Sequence, residues 1–380
     1  MSSTHKFWNT QPVRQEVSSA EEEGPIKIPK EVSKTPLPLP PNFSWVTLDV
    51  TNTNDLTELY TLLSNHYVED SDSLFRFNYS AEFLMWALTV PGYLSQWHLA
   101  IRSSTGTLLA FIAATPQHMK IKKEEVDIVD INFLCVHTSL RTKRLAPVLI
   151  REITRRVNLE GIYFAAYTAG IRIPTPYSVA QYYHRPLNIK KLVETDFLSL
   201  PDDKISTYSK LYGTVVVPKG IRMRPMTEDD VDIVSDLLNQ QLSKYEVAPV
   251  FSKEEVRHFF VPRKSIVDSF VFLTENGEVS DFMSYYHLPS RVLQGNQGTL
   301  NAAYLFYYAC NSIPLKDMVN SVINYAKVNN IDVVNCLTIM DNDLFIKDCK
   351  FGPGDGNLNF YLFNWNLNPI ESKKVGIVLF

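Results

Sequence analysis

Residues 130–170 open with Asp130-Ile131-Asn132-Phe133-Leu134-Cys135-Val136-His137, pass through Arg141-Thr142-Lys143-Arg144-Leu145-Ala146-Pro147, and close on Tyr167-Thr168-Ala169-Gly170. The apolar run Ile128–Val136 predicts a strand, Pro147–Val157 an amphipathic helix and Ile162–Thr168 a further strand. Pro147 suits a first helical turn, where a missing amide hydrogen costs nothing. Amides left free at that turn, the positive end of the helix dipole, and Arg141, Lys143 and Arg144 together make an anion site suited to pyrophosphate. The bland alternative is a solvated basic loop; the position of the loop between strand and helix favours the anion site.

Working outward, the chain runs one plan twice, at an offset of roughly 170–175 residues. The first pass has Trp45-Val46-Thr47-Leu48, an N-cap at Asn54-Asp55 and a helix through Leu56, Leu59, Leu62 and Leu63. The second has Ile221-Arg222-Met223-Arg224-Pro225, a cap at Thr227–Asp230 and apolar positions Val231, Val234, Leu237 and Leu238. Ser80-Ala81-Glu82 and Ser252-Lys253-Glu254-Glu255 start further helices. Hairpins follow, Trp97–Arg102 with Leu108–Ala114 around Thr105-Gly106, and Phe270–Leu273 with Val279–Tyr285 around Asn276-Gly277. Each pass ends in strand, helix and strand; in the second these are Ala302–Ala309, Leu315–Val328 and Val333–Ile339.

That order resembles the acetyltransferase (GNAT) fold. The expected class is α/β: two tandem GNAT-like halves, related by a pseudo-twofold, sharing a saddle-shaped mixed sheet. The expected division is an extended proline-rich arm at 1–45, an acyl-CoA-binding half at 46–215 and a peptide-binding half at 216–380. The phosphate loop resembles R/Q-x-x-G-x-G/A, with Arg144 in place of the first glycine. At the second junction Asn311-Ser312-Ile313-Pro314-Leu315-Lys316-Asp317 keeps one Lys beside an Asp, so only the first half is expected to bind cofactor.

The composition admits this reading. The chain has 380 residues, is 45% hydrophobic and 21% charged, and carries a net charge of -4, a balance that excludes nucleic acid as the main partner. There is no apolar run long enough for a transmembrane helix and no signal-peptide core. Cys135, Cys310, Cys336 and Cys349 are scattered, without CxxC spacing or a His cluster, so no metal site or disulfide framework is expected and a reduced, cytoplasmic setting is.

A bulge or splay in Asp130–Val136 would turn main-chain amides toward a thioester carbonyl, as acyl transfer requires. Cys135, with His137 two residues on and on the same strand face, has the makings of a nucleophile. A Cys between Leu and Val in a strand is more often core, and direct attack by an amine does not need it.

Several longer motifs resemble the glycylpeptide N-tetradecanoyltransferase (protein N-myristoyltransferase) family. They are Phe7-Trp8-Asn9-Thr10-Gln11-Pro12-Val13, Tyr67-Val68-Glu69-Asp70, Phe75-Arg76-Phe77, Asn132–His137, Lys143–Val157, Leu159–Ile162, Tyr167–Gly170 and Lys350–Leu358. The resemblance implies myristoyl-CoA as co-substrate and N-terminal glycine peptides as acceptors, on a monomer. It implies that His5, Lys6, Phe7 and Trp8 cover the coenzyme A, and that Arg141, Thr142, Lys143, Arg144, Leu145, Ala146 and Pro147 hold its phosphates. Phe133 and Leu134 would supply oxyanion amides, with Cys135 and Val136 continuing the thioester wall. Asn132 and Thr168 would hold the glycine amine, and Gly170 would leave it room.

The resemblance further assigns Tyr67, Val68, Asp70, Asp72, Phe75, Phe77, Tyr79, Tyr182, His184, Phe197, Ser290, Asp355, Gly356 and Leu379 to the peptide groove. As a bare cluster, Glu69–Asp72 would read as a solvated loop. Pro186 stands where the family commonly has serine. Val375-Gly376-Ile377-Val378-Leu379-Phe380 is apolar throughout, so it is expected to be buried, and the resemblance makes the α-carboxylate of Phe380 the general base. Rival readings are a duplicated acyltransferase for another acyl length or a lysine acceptor, and a non-catalytic acyl-CoA or N-terminus-binding module.

Overall fold

The computed structural model describes residues 6–15, 22–68, 74–213, 215–294 and 298–380. His5, Asp70 and Asp72 of the predicted site lie outside these residues. A 13-stranded sheet carries the fold. Its strands are β1 Phe43–Thr47, β2 His98–Ser103, β3 Leu108–Ile121, β4 Glu124–Val136, β5 Ala165–Ala169, β6 Ser178–Pro186, β7 Arg222–Pro225, β8 Val247–Pro249, β9 Val267–Leu273, β10 Val279–His287, β11 Ala302–Ala309, β12 Val333–Leu337 and β13 Gly352–Phe363. The order across the sheet is β1-β2-β3-β4-β5-β13-β6-β12-β11-β10-β9-β7, with β8 added to β3.

This order reads alike from either edge. Five strands of the first pass are followed by the last strand of the second, then the last strand of the first, then five strands of the second. Such an order is what two like halves produce when they exchange their final strands. Local sequence pattern carries no sign of the exchange: β13 opens on the polar, glycine-rich Gly352–Asn357 and closes on a continuously buried run, and nothing in it or in β6 marks the partner strand.

The helices of the repeated plan are present, and the structure adds Ile189–Glu194, Asp202–Gly213 and Asp343–Ile346, which the plan did not contain. Thr53–His66 is capped by the Asn52 side chain, which accepts from the amides of Asn54 and Asp55, so the expected cap at Asn54-Asp55 is corrected by two residues. Ser80 caps Ala81–Leu88, and Ser252 with Glu255 forms a reciprocal box on Lys253–Phe260. Thr227 and Asp230 form another at the turn leading into Val231–Leu242. Helix Leu145–Leu159 begins two residues before the expected start, and Arg144 precedes it with φ +57°.

One large apolar cluster packs the second half against one face of the first, and a second joins helix Leu145–Leu159 to the other face of β2–β5. The proline-rich segment crosses this outer side. Leu37 N donates to Glu152, and Arg155 Nη1 donates to the carbonyls of Ser33 and Lys34. Glu152 is fully buried on the helix; burial pushes its carboxyl up, but bonds from Arg155, the Leu37 amide and Arg156 outweigh this and hold it below the ordinary range. Among the described residues no helix is long and apolar enough to cross a membrane.

Candidate active site

Strands β4 and β5 are parallel neighbours only at Val129↔Ala165 and Asp130↔Ala166; beyond that rung they part. The wedge between them opens into a cavity of about 380 Å³. Ile131, Leu134, Ala146, Pro147, Ile150 and Thr168 are among its walls, and Phe7 and Trp8 lie over it. Trp8 stacks on Tyr167 at 5.7 Å and 10°, and Tyr167 on Tyr361 at 5.0 Å. The Arg151 guanidinium sits 5.6 Å from the Phe7 ring. The arm therefore keeps its aromatic pair as a cover. Tyr167 and the inner walls Ile112 and Ile153 were missed by sequence reasoning, although alternation along β3 and the helical period marked them as inward-facing.

The expected bulge is present. Cys135 pairs with Phe111 and Asn132 with Ala113, so Phe133 and Leu134 together face Ile112. Phe133 takes φ +56°, a left-handed conformation that a bulky residue rarely adopts. Leu134 lines the cavity, whereas the Phe133 ring packs on the opposite face against Tyr79 at 5.2 Å and Tyr67 at 6.0 Å. Burial pushes the Tyr67 phenol well up, with Cys135 adding, and a main-chain hydrogen bond from Phe133 partly offsets both. An oxygen on the face of the sheet away from the cavity is thus received by Phe133.

Cys135 is core, as expected. Burial pushes its thiol up to about 12, although Arg141 and Arg76 pull the other way. His137 has left the strand, correcting its expected place on the Cys135 face; it caps the turn Thr138–Lys143 and lies 3.9 Å from the His66 ring. Arg141 Nη2 donates to the His66 carbonyl at 2.6 Å. Thr142, Lys143 and Arg144 are exposed, and among the described residues no carboxylate pairs with Arg141, Lys143 or Arg144.

At the second junction the loop amides hold an anion, and the anion is internal. The amides of Asn311, Ser312 and Ile313 donate to Asp281 Oδ1 at 2.6, 2.9 and 3.3 Å, and Ser312 Oγ donates to Oδ2 at 2.5 Å. Burial pushes the Asp281 carboxyl up, but bonds from Ser312, Ser280 and the loop amides win and hold it below the ordinary range. The second half also repeats the bulge: Met283 pairs with Tyr308 and Tyr285 with Leu305. Here the Tyr307 amide donates to Ser284 Oγ at 3.1 Å.

Residues that the resemblance assigned to a peptide groove gather around the strand exchange. Ser290 pairs with Phe77 in a separate small sheet, Phe75 meets Phe197 edge-on at 5.7 Å, and Phe197 meets His184 at 5.3 Å. His184 Nδ1 is 2.6 Å from Asn335 Oδ1; burial pushes its imidazole down, while Asn335 and Asp355 pull it up. A Cβ on Gly356 would touch the Tyr182 ring at 3.4 Å, whereas one on Gly170 would meet nothing. Val68 is exposed. Phe380 packs its ring on Trp86 at 5.0 Å, Tyr286 at 5.2 Å, Phe83 at 5.3 Å and Phe306 at 5.4 Å, beside buried Leu379. Phe83 touches Tyr79, and Tyr79 touches Phe133, so Phe380 and the bulge share one aromatic cluster.

A wedge between parting strands, a bulge at its mouth and a helix start at its side define an acyl-CoA N-acyltransferase type of fold. A GCN5-related N-acetyltransferase structure from Anabaena variabilis shares that fold at a TM-score of 0.50 and 10% identity, over 84% of this chain and 72% of that one. Residues 24–180 match the family model described as Myristoyl-CoA:protein N-myristoyltransferase, N-terminal domain, and residues 194–378 match the C-terminal domain of the same name. Glycylpeptide N-tetradecanoyltransferase 2 of Bos taurus is 46% identical over 99% of this chain and 76% of its own length. The Plasmodium falciparum glycylpeptide N-tetradecanoyltransferase is 44% identical over 99% of this chain and 93% of its own. The crystal structure of Saccharomyces cerevisiae N-myristoyltransferase with bound myristoylCoA superposes at a TM-score of 0.94 with 40% identity, covering 100% of both chains. The chain belongs to the myristoyl-CoA:protein N-myristoyltransferase family.

Proposed function

We propose that the chain moves a tetradecanoyl group from myristoyl-CoA to the α-amine of an N-terminal glycine by direct attack, without a covalent enzyme intermediate. The observation that carries this reading is the bulge at Phe133-Leu134, which stands at the mouth of the cavity with Leu134 on the acyl side and Phe133 on the peptide side. A thioester in the wedge would present its carbonyl oxygen to these two main-chain amides, and preorganised donors of this kind are worth about 10²–10³ in rate each. The Tyr67 oxygen meets the Phe133 amide, so a thioester carbonyl has to take that donor from it, whereas the Leu134 amide has no such competitor opposite Ile112.

The other roles follow from position. Lys6, Phe7 and Trp8 close over the coenzyme A, and residues 141–147 meet its phosphates at the helix start. Asn132 and Thr168 flank the wedge and hold the ammonium; the open space at Gly170 admits an acceptor without a side chain. Residues 46–215 supply the acyl-CoA site, and 216–380 complete the peptide groove and bring in Phe380. The α-carboxylate of Phe380 takes the proton. An ordinary α-carboxyl has a pKa of about 3.5 against about 8 for the amine, so desolvation has to bring the two together. Val378 and Phe380 are half-buried rather than fully buried as expected, and the aromatic packing of the Phe380 ring holds its carboxylate beside apolar surface. The reading takes the chain as a cytoplasmic monomer, and its four free cysteines fit the reduced compartment.

Mass analysis of a Gly-starting peptide incubated with acyl-CoAs of graded length tests the whole. Product with the C14 donor but not C2 or C8, and none with an N-acetylated peptide, is expected. Acylation of an internal lysine at a comparable rate would replace this reading with a lysine acyltransferase. Appending a few residues after Phe380 is expected to abolish turnover while acyl-CoA binding persists; full activity would rule out the terminal carboxylate as base.

A further inference from the structure

Asp130 has no part in the roles above, yet it stands one step behind them. Along β4 it alternates with Val129 and Ile131, which line the acyl cavity, so its side chain shares the opposite face with Asn132. It forms the last rung of the β4/β5 pairing, opposite Ala166, which precedes Thr168 by two residues. Two residues of strand are about 7 Å, so Asp130 lies that far behind Asn132 on its own strand, and on the neighbouring strand its partner Ala166 lies two residues behind Thr168.

Its surroundings are unusual for a carboxyl. The side chain is buried, Oδ1 has no hydrogen-bond partner, and no cation pairs with it among the described residues. Buried polar atoms are nearly always satisfied, because an orphan costs roughly 1–3 kcal/mol. The titratable groups facing it are Glu255 from helix Lys253–Phe260, Tyr177 ahead of β6, and Tyr307 on β11. The Tyr307 hydroxyl accepts from Val378 N at 2.9 Å, so this side of Asp130 is continuous with the segment that ends at Phe380. Burial, with Glu255 adding, pushes the Asp130 carboxyl up to about 8, close to an α-amine.

We propose that Asp130 is a positioning residue for proton transfer, receiving from the Phe380 carboxyl the proton that leaves the glycine ammonium. The inference rests on the direct-attack reading. In that step one ammonium N–H bond breaks and an O–H bond forms, first on Phe380 and then on Asp130. The freed nitrogen pair forms the C–N bond, the C–S bond breaks, and the departing sulfur takes the second proton from nitrogen. One proton is left over per turnover, and Asp130 holds it until it returns to water.

Steady-state kcat of wild type, Asp130→Asn and Asp130→Glu, with one Gly-starting peptide and saturating myristoyl-CoA, from about pH 6 to about pH 9.5, decides the matter. Absence of any wild-type product would defeat the direct-attack reading itself; the difference between variants tests Asp130. Wild-type kcat is expected to fall on the acid side through about 8. In Asp130→Asn it should be about 10- to 100-fold lower with that limb flattened, while myristoyl-CoA affinity stays within about twofold. Asp130→Glu should recover most of the rate with a displaced limb. Wild-type kcat in Asp130→Asn, or a lowered kcat with an unchanged acid limb, overturns the proposal. If Asp130→Asn does not fold, an unmoved limb in Asp130→Glu overturns it equally.

Discussion

The two strand–loop–helix junctions start from one plan and end with opposite contents. At the first, the loop before Leu145 is long and cationic, and no internal carboxylate pairs with it among the described residues. At the second, the amides of Asn311, Ser312 and Ile313 close on Asp281. The bulges divide the same way. Opposite Tyr307 stands Ser284, whose hydroxyl accepts the Tyr307 amide; opposite Leu134 stands Ile112, which has nothing to offer it. The second junction and bulge keep the same donors, which are main-chain atoms and survive any substitution except proline. They were satisfied from within, by one carboxylate and one hydroxyl.

Removing the internal anion should break the comparison most visibly. In Asp281→Ala three amides and the Ser280 and Ser312 hydroxyls lose a buried acceptor, at roughly 1–3 kcal/mol for each group left unsatisfied. A total loss of about 4 kcal/mol is expected after relaxation, read as a fall in the denaturation midpoint. Asp281 also carries a pH signature. Its carboxyl is held below the ordinary range, so its contribution is present above the unfolded carboxylate pKa and is lost as pH falls through the lower folded value. Asp281→Asn should therefore flatten the acid limb of stability. An unaltered limb would mean that the carboxylate is not the anion those amides hold.

The cationic loop sharpens the contrast from the other side. Lys143→Ala with Arg144→Ala should weaken myristoyl-CoA binding about 10- to 100-fold, since charge-assisted bonds to phosphate are worth about 1.5–3 kcal/mol. The deficit should shrink as salt is raised. Lys316→Ala, at the matching place in the second half, should leave affinity unchanged. Isothermal titration at two ionic strengths reads both; an equal loss in the two variants would show that the second junction also meets the ligand.

Much of this was legible in the sequence because it depends on local rules. Caps at Ser80, Thr227 and Ser252, the turn at Asn276-Gly277 and the strand–helix–strand periodicity all act within a few residues. The cationic loop and the Phe7-Trp8 pair were legible for the same reason. What stayed hidden is long-range. Asp281 reaches its loop across 30–32 positions, and nothing in Val279-Ser280-Asp281 marks a buried acceptor. The exchange of β6 and β13, which brings His184 beside Gly352, joins strands more than 160 residues apart. Asn52 was passed over as a cap because Asn52, Thr53, Asn54 and Asp55 are all eligible, and only backbone geometry selects among them.

The smallest expected effect puts the hydroxyl of the second bulge into the first. Ile112 and Leu134 both line the cavity, and Ile112 holds the place that Ser284 has opposite Tyr307. In Ile112→Ser the new Oγ would accept the Leu134 amide as Ser284 accepts that of Tyr307, and an acyl oxyanion would have to compete for it. A transition-state donor shared in this way loses part of its value, so kcat should fall about 10-fold while acyl-CoA affinity drops less. The lost methyl groups bear on affinity and stability, which makes the ratio between the two effects the informative quantity. Single-turnover rates at saturating peptide separate chemistry from product release. If Ile112→Ser lowers affinity alone and leaves the single-turnover rate intact, the Leu134 amide is not an oxyanion donor, and the difference between the bulges lies only in packing.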